Sequence, residues 1–179
     1  SKYPDTFPSN FEVEYNSENK MLIIEYELPS QEDVPTLKEV KYMAARKELK
    51  EILIPDNQIN KTYDEVIYKI TLRTLHELFE SDVIDVIGTI SFNGWVKSIN
   101  RATGKEENNC ILSIQAKKEE FKNIDLSNVD PKTCFKTLKG VAASKLSTLT
   151  PVQPIIQISR EDHRFVDSYA VGEKIDNST

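Results

Sequence analysis

Gln115 and Lys117 close the apolar run Cys110-Ile111-Leu112-Ser113-Ile114. Alternate strand residues face one side, so the two would point together while Ala116 turns away. An amide or carboxylate oxygen beside a lysine at the end of a buried strand suits phosphoryl chemistry. The oxygen can ligate Mg²⁺, and the ammonium can stabilise charge developing on the attacked phosphoryl group. As a bare pattern Gln-x-Lys is common, and the bland account is a solubilising strand end running on into Lys118-Glu119-Glu120. A second candidate set is basic. Lys132, Lys136 and Lys139 have spacings of four and three, which puts them on one helix face opposite Phe135 and Leu138, with Lys145 nearby. Such lysines can contact phosphates and give affinity without sequence choice, or simply keep a helix solvated.

Other reactive residue types lack company. His76 stands next to Leu75 on a helical stretch, without a second His, Cys or paired carboxylate, and reads as a helix-surface or partly buried side chain. His163 lies in the charged run Arg160-Glu161-Asp162-His163-Arg164, which reads as a solvated turn. Phe92 and Trp95 are expected in the core rather than as a base-stacking platform, unless Gly94 marks a bulge. Cys110 and Cys134 are far apart in apolar-patterned segments and are expected to be buried, reduced thiols. No Gly-rich phosphate loop, Ser-His-Asp set or paired zinc ligands occur.

The elements that must position these residues follow from periodicity. Phe11 to Tyr15 alternates apolar and acidic residues, Asn16-Ser17-Glu18-Asn19 is turn-forming, and Met21 to Leu28 follows, which predicts a β-hairpin with an acidic outer face. Glu39 to Tyr42 is a candidate third strand, and Ala44 to Ile54 is ambiguous between helix and strand. Apolar residues from Ile59 to Phe79 recur at three- and four-residue steps and predict one long helix over 57–81, with Asp56 placed to cap it. Residues 82–98 then turn β-rich, Arg101 to Asn109 is a polar hairpin loop, and Cys110 to Lys117 is the return strand. Val129-Asp130-Pro131 opens a second helix, because Asp caps and Pro fits the first helical position. Pro154 to Ser159 is expected to be a final buried strand.

In that order the stretch from Thr62 to Ser159 resembles the core of the PD-(D/E)xK nuclease superfamily, in the version with Gln found in Mrr-like restriction endonucleases. More broadly, the whole chain resembles the region ahead of the catalytic domain in larger Mrr-like restriction endonucleases. The motifs Phe92-Asn93-Gly94-Trp95-Val96 and Asn128-Val129-Asp130-Pro131 carry that resemblance. It implies an α+β fold: an N-terminal β-hairpin joined to a restriction-endonuclease-like α-β-β-α-β core with a mixed sheet. The expected division is 1–55 for the hairpin extension, 56–160 for the core, and 161–179 for a tail or a linker to an adjoining nuclease domain. The departure from the nuclease pattern is specific. Such sites need an aspartate on the strand beside Gln-x-Lys. Simple pairing puts Gln115 opposite Phe92-Asn93, where no acid occurs. Asp85 is seven residues up the strand, which at ~3.3 Å per residue is roughly 23 Å away. Glu77 and Glu80 on the long helix can approach but cannot replace a strand acid.

Composition sets outer bounds. The chain has 179 residues, 39% hydrophobic and 29% charged, enough for one domain with a real core. No apolar stretch approaches a membrane span, nothing at the start resembles a signal peptide, and a cytoplasmic location is expected. Ser1 in place of Met and the polar ending Asp176-Asn177-Ser178-Thr179 suggest a piece of a longer protein. Net charge is −6, yet residues 131–146 carry four lysines and no acid, while residues 1–35 carry eight acids against two lysines. An acidic front and a basic rear can support a nucleic-acid face that the net value hides. Three functions are therefore weighed. The first is a non-catalytic DNA-recognition, sensing or assembly module of a bacterial anti-phage restriction endonuclease, needing no cofactor. Its expected partners are DNA and the adjoining nuclease domain, with self-association left open. The second is an active Mg²⁺-dependent endonuclease using Gln115 and Lys117, with a carboxylate brought within about 6 Å of both. The third is a structural or oligomerising domain that binds no nucleic acid.

Overall fold

The computed structural model describes residues 10–33 and 56–158. The candidate strand at 39–42, the ambiguous segment 44–54, His163 and the tail 161–179 lie outside the described residues. Phe11–Asn16 (β1) and Met21–Glu27 (β2) form the expected antiparallel hairpin. Its turn is built from asparagine chemistry: Asn16 Oδ1 accepts from Glu18 N and Asn19 Oδ1 from Met21 N, and Lys20 takes a left-handed φ of 54°. A 3-10 turn at Gln31–Asp33 follows β2. The long helix α1 spans Asp56–Ser81, matching its apolar period.

Thr89–Ile99 (β3) and Glu106–Lys117 (β4) make the second hairpin. Its turn is closed by Asn100, whose Oδ1 accepts from Ala102 N and Thr103 N while Gly104 supplies a φ of 71°. Lys118–Phe121 (α2) is a single turn, and Pro131–Thr137 (α3) opens as expected on Asp130, whose side chain accepts from Thr133 N. Val141–Ala142 (β5) and a 3-10 turn at Leu146–Thr148 complete the described chain.

The fold is α+β with a mixed sheet in the order β1-β2-β3-β4-β5, parallel only between β2 and β3. One face of the sheet, with Ile24, Ile90, Phe92, Leu112 and Ile114, packs into a single apolar core with Ile67, Ile70 and Leu75 of α1. Burying each such side chain contributes about 1.5–3 kcal/mol. Tyr68 and Leu72 of α1 are buried too, because α3 and the 146–148 turn pack on the helix beside the sheet. Tyr68 stacks on Phe135 with ring centroids 5.0 Å apart.

Two expected strands are corrected. Residues 82–88 are a loop, with Val83 92% and Ile84 79% exposed. Local polar chemistry overrides their β-branched composition: Asp82 accepts from Val86 N and Ile87 N, and Asp85 adopts a left-handed φ of 54°. Residues 154–158 are also not a strand. They run over the second face of the sheet, held by side chains rather than by a neighbouring backbone. The expected acidic outer face of the first hairpin is corrected too: Glu12, Glu25 and Glu27 are buried, Glu14 is half-buried, and only Glu18 in the turn is exposed.

Candidate functional site

The second face of the sheet is organised in rows of cross-strand neighbours. One row reads Glu12, Glu25, Asn93, Ser113, and the next reads Glu14, Ile23, Ser91, Gln115. Lys117 belongs to a third row, opposite Thr89 at the end of the sheet. Gln115 and Lys117 thus share a face, as alternation requires, with Gln115 half-buried and Lys117 exposed. Gln115 pairs with Ser91 rather than with Phe92-Asn93. The expected pairing supposes a turn centred on Thr103-Gly104; the observed turn is centred earlier, and Ile111 is an extra residue that gives back part of the slip, at the irregularity beside Gly94 and Trp95.

The first row is a buried polar network. Glu25 is 1% exposed and accepts from Trp95 Nε1 at 2.7 Å, Asn93 Nδ2 at 3.1 Å and Ile158 N at 3.2 Å. Asn93 Nδ2 also donates to Ile156 O at 2.7 Å, and Asn93 Oδ1 accepts from Ser113 Oγ at 2.7 Å. Ser113 Oγ accepts from Ile155 N, and Ser91 Oγ donates to Ile156 O at 3.4 Å. The groups beside Gln115 therefore hold residues 155–158 against the sheet. At about 4.8 Å per strand and ~3.4 Å per residue, the Glu25 backbone is roughly 12 Å from that of Gln115. Glu77 and Glu80 lie on α1, which packs against the opposite face of the sheet. Among the described residues, no three His, Cys, Asp or Glu side chains gather as metal ligands.

Asp85 does reach the end of β4, but its partner is Lys118. Lys118 Nζ donates to Asp82 at 2.6 Å and to Asp85 at 2.9 Å, fixing the 82–88 loop to the strand end. This contact holds the Asp82 carboxyl down at about 2 and lowers that of Asp85. The same two hydrogen bonds raise the Lys118 ammonium. The side chain that sequence reading passed over is thus the one engaged by carboxylates.

The basic residues divide. Lys132 and Lys145 come together with Lys61, Asp64, Tyr68 and Asp130 around a cleft of about 500 Å³ between α1 and the start of α3. Lys136 and Lys139 are exposed and do not line it. The expected single lysine face is broken because α3 stops at Thr137, and Lys139 lies beyond it with a left-handed φ of 63°. Phe135 and Leu138 are buried as expected. Asp64 accepts from Leu146 N and Ser147 N, both at 3.2 Å; burial raises its carboxyl more than these bonds, Lys132 and Lys145 lower it. Lys132 Nζ donates to Ser144 O at 3.1 Å, so residues 144–147 form a strap tied to both walls. The Tyr68 hydroxyl is fully buried without a hydrogen-bond partner, and burial pushes it up to about 12, with Asp64 adding to the shift. A polar group left in that state costs about 1–3 kcal/mol.

Sequence reading missed Lys61, Lys69 and Arg73. They recur at four- and eight-residue steps along α1 and carry the groove onward, because Lys69 and Arg73 line a second hollow with Leu126, Val129 and Pro131. Their spacing is a readable signal, a basic stripe beside the apolar one on the same helix. The buried glutamate Glu25 gave no separate signal, since an inward and an outward acid look alike in an alternating strand. No family model, curated protein or solved structure matches this chain.

Proposed function

We propose that this chain is a non-catalytic, DNA-contacting module of a larger restriction-type nuclease. The observation that carries the reading is the basic groove. Lys61, Lys69 and Arg73 on one stripe of α1 run beside Lys132 and Lys145, in a chain of net charge −6. Asp64, Glu65 and Asp130 share the Lys61–Lys132–Lys145 end, so the cationic excess lies at Lys69 and at Arg73, which also pairs with Glu77 at 3.8 Å. Cations gathered against an opposing net charge mark a backbone-contacting surface. The non-catalytic part is favoured by the sheet. Ser91 stands where a strand aspartate would be needed, and the neighbouring row is spent holding residues 155–158. The link to a restriction-type parent rests on the sequence resemblance alone.

The test is fluorescence anisotropy of a labelled duplex across a salt series, with Lys69→Glu and Arg73→Glu variants. Three to five phosphate contacts would lower affinity by roughly 40- to 500-fold between 50 and 200 mM salt. Each charge reversal would weaken binding at every sequence alike. Flat anisotropy, or binding indifferent to both variants, overturns the reading. A second reading, assembly, is favoured by the 82–88 loop, which presents Val83 and Ile84 on a backbone pinned by Asp82 and Lys118. On that reading Ile84→Ser reduces concentration-dependent association in sedimentation velocity while leaving Tm unchanged.

A further inference from the structure

The cleft between α1 and α3 has an uneven balance of spent and unspent hydrogen-bonding groups. Two of its acids are used internally. Asp64 holds the strap through two backbone amides, and Asp130 accepts from Thr133 N at 3.0 Å and Thr133 Oγ1 at 2.7 Å. What remains is mostly donor capacity. The ammoniums of Lys61 and Lys145 make no hydrogen bond or ion pair with described residues, and that of Lys132 uses only one of its three protons. Asn60 spends its Oδ1 on Gln31, which leaves its amide protons. Beneath them lies the Tyr68 hydroxyl, fully buried and unpartnered. Glu65 is the remaining acid of the lining and is exposed. Three ammoniums, an amide and a phenol left with donors to spare call for a compact anion rich in acceptor oxygens.

The shape narrows this further. A nucleic-acid backbone that runs through a groove needs both ends open. Here the strap 144–147 closes one end, bound to Asp64 on α1 and to Lys132 on α3. We propose that the Lys61–Lys132–Lys145 cleft is a dead-end pocket for a phosphomonoester, the terminal phosphate of a nucleic-acid strand or of a free nucleotide. The phosphate oxygens take the three ammoniums, and the unpartnered Tyr68 hydroxyl of the same lining supplies a further donor. The strand-end form of this proposal rests on the DNA reading above; the pocket itself does not.

The experiment compares short duplexes bearing a 5′-phosphate, a 3′-phosphate or only hydroxyl ends, alongside inorganic phosphate and adenosine monophosphate followed by thermal shift. The chain is used intact, with Lys145→Gln and Tyr68→Phe as cleft variants and Lys136→Gln as the exposed control. The expected result is that one phosphorylated duplex binds about tenfold tighter than the hydroxyl duplex, the scale of a charge-assisted hydrogen bond or two. That preference is lost in Lys145→Gln, reduced in Tyr68→Phe and kept in Lys136→Gln. If no duplex binds, yet the monophosphate or phosphate stabilises the chain and Lys145→Gln abolishes it, the pocket stands and the DNA reading falls. Equal binding of all three duplexes, with no response to the small phosphates, overturns the pocket and leaves the DNA reading in place. No binding of any probe overturns both.

Discussion

At the scale of single residues, carboxylates do structural work that their positions in sequence do not announce. Lys118 clamps Asp82, whose side chain is 2% exposed, and holds its carboxyl at about 2. A carboxyl depressed on folding stabilises the protein above its ordinary value of 3.8. That contribution is lost as pH falls toward 2. Thermal melts from pH 7 to pH 2 should show this loss, and Lys118→Met should flatten it between about pH 4 and 2 while lowering Tm at neutral pH. Glu25 makes a different kind of prediction. Asn93→Ala removes a donor to a buried carboxylate and should cost roughly 2–3 kcal/mol, read by urea denaturation. Asn93→Asp sets a second carboxylate where Asn93 Nδ2 now donates to Glu25 at 3.1 Å. It should be the worse variant at pH 7 and recover part of its stability near pH 5, as one of the two takes up a proton. That Gln115 and Lys117 share a face was readable from alternation. Their cross-strand partners were not, because rows depend on turn position and on one extra residue at Ile111.

Among the elements, those with a local cause were legible and those with a distant cause were not. Asp130-Pro131 starts α3 for reasons contained in two residues, and Asp130→Ala should lower Tm in thermal unfolding by removing the cap on Thr133 N. Residues 82–88 have the composition of a strand, yet their backbone amides find the Asp82 carboxylate first, and the clamping lysine lies 36 residues on. Residues 154–158 alternate in burial like a strand, but their partners are Ser91, Asn93, Ser113 and Glu25 side chains on three different strands. No window of sequence contains that arrangement. Gly140, expected near the end of α3, has a packing reason to be glycine. A Cβ there would meet Phe135 Cε1 and Cζ, both at 2.4 Å. Gly140→Ala should therefore displace a core ring and destabilise by about 1–3 kcal/mol, with loss of the Tyr68–Phe135 contact visible by NMR.

For the molecule as a whole, chemistry and charge are segregated. Both cysteines are free and buried, and burial, aided by the nearby Glu25 charge, pushes the Cys110 thiol up to about 12. A thiol reagent at pH 8 should therefore label Cys110 only at the rate of unfolding, and denaturant should release the reaction. The basic groove lies along the long helix, while the buried acids lie across the sheet from it. The parallel joint between β2 and β3 has a consequence for how this chain is made. The hairpin Phe11–Glu27 leaves the ribosome before β3, so the inner edge of β2 has no strand beside it until Thr89–Trp95 have been synthesised. At about 5–20 residues per second, that edge waits roughly 3–12 seconds with its backbone groups open to other chains. Nascent chains stalled before β3 should hold chaperones, and those stalled beyond β4 should release them.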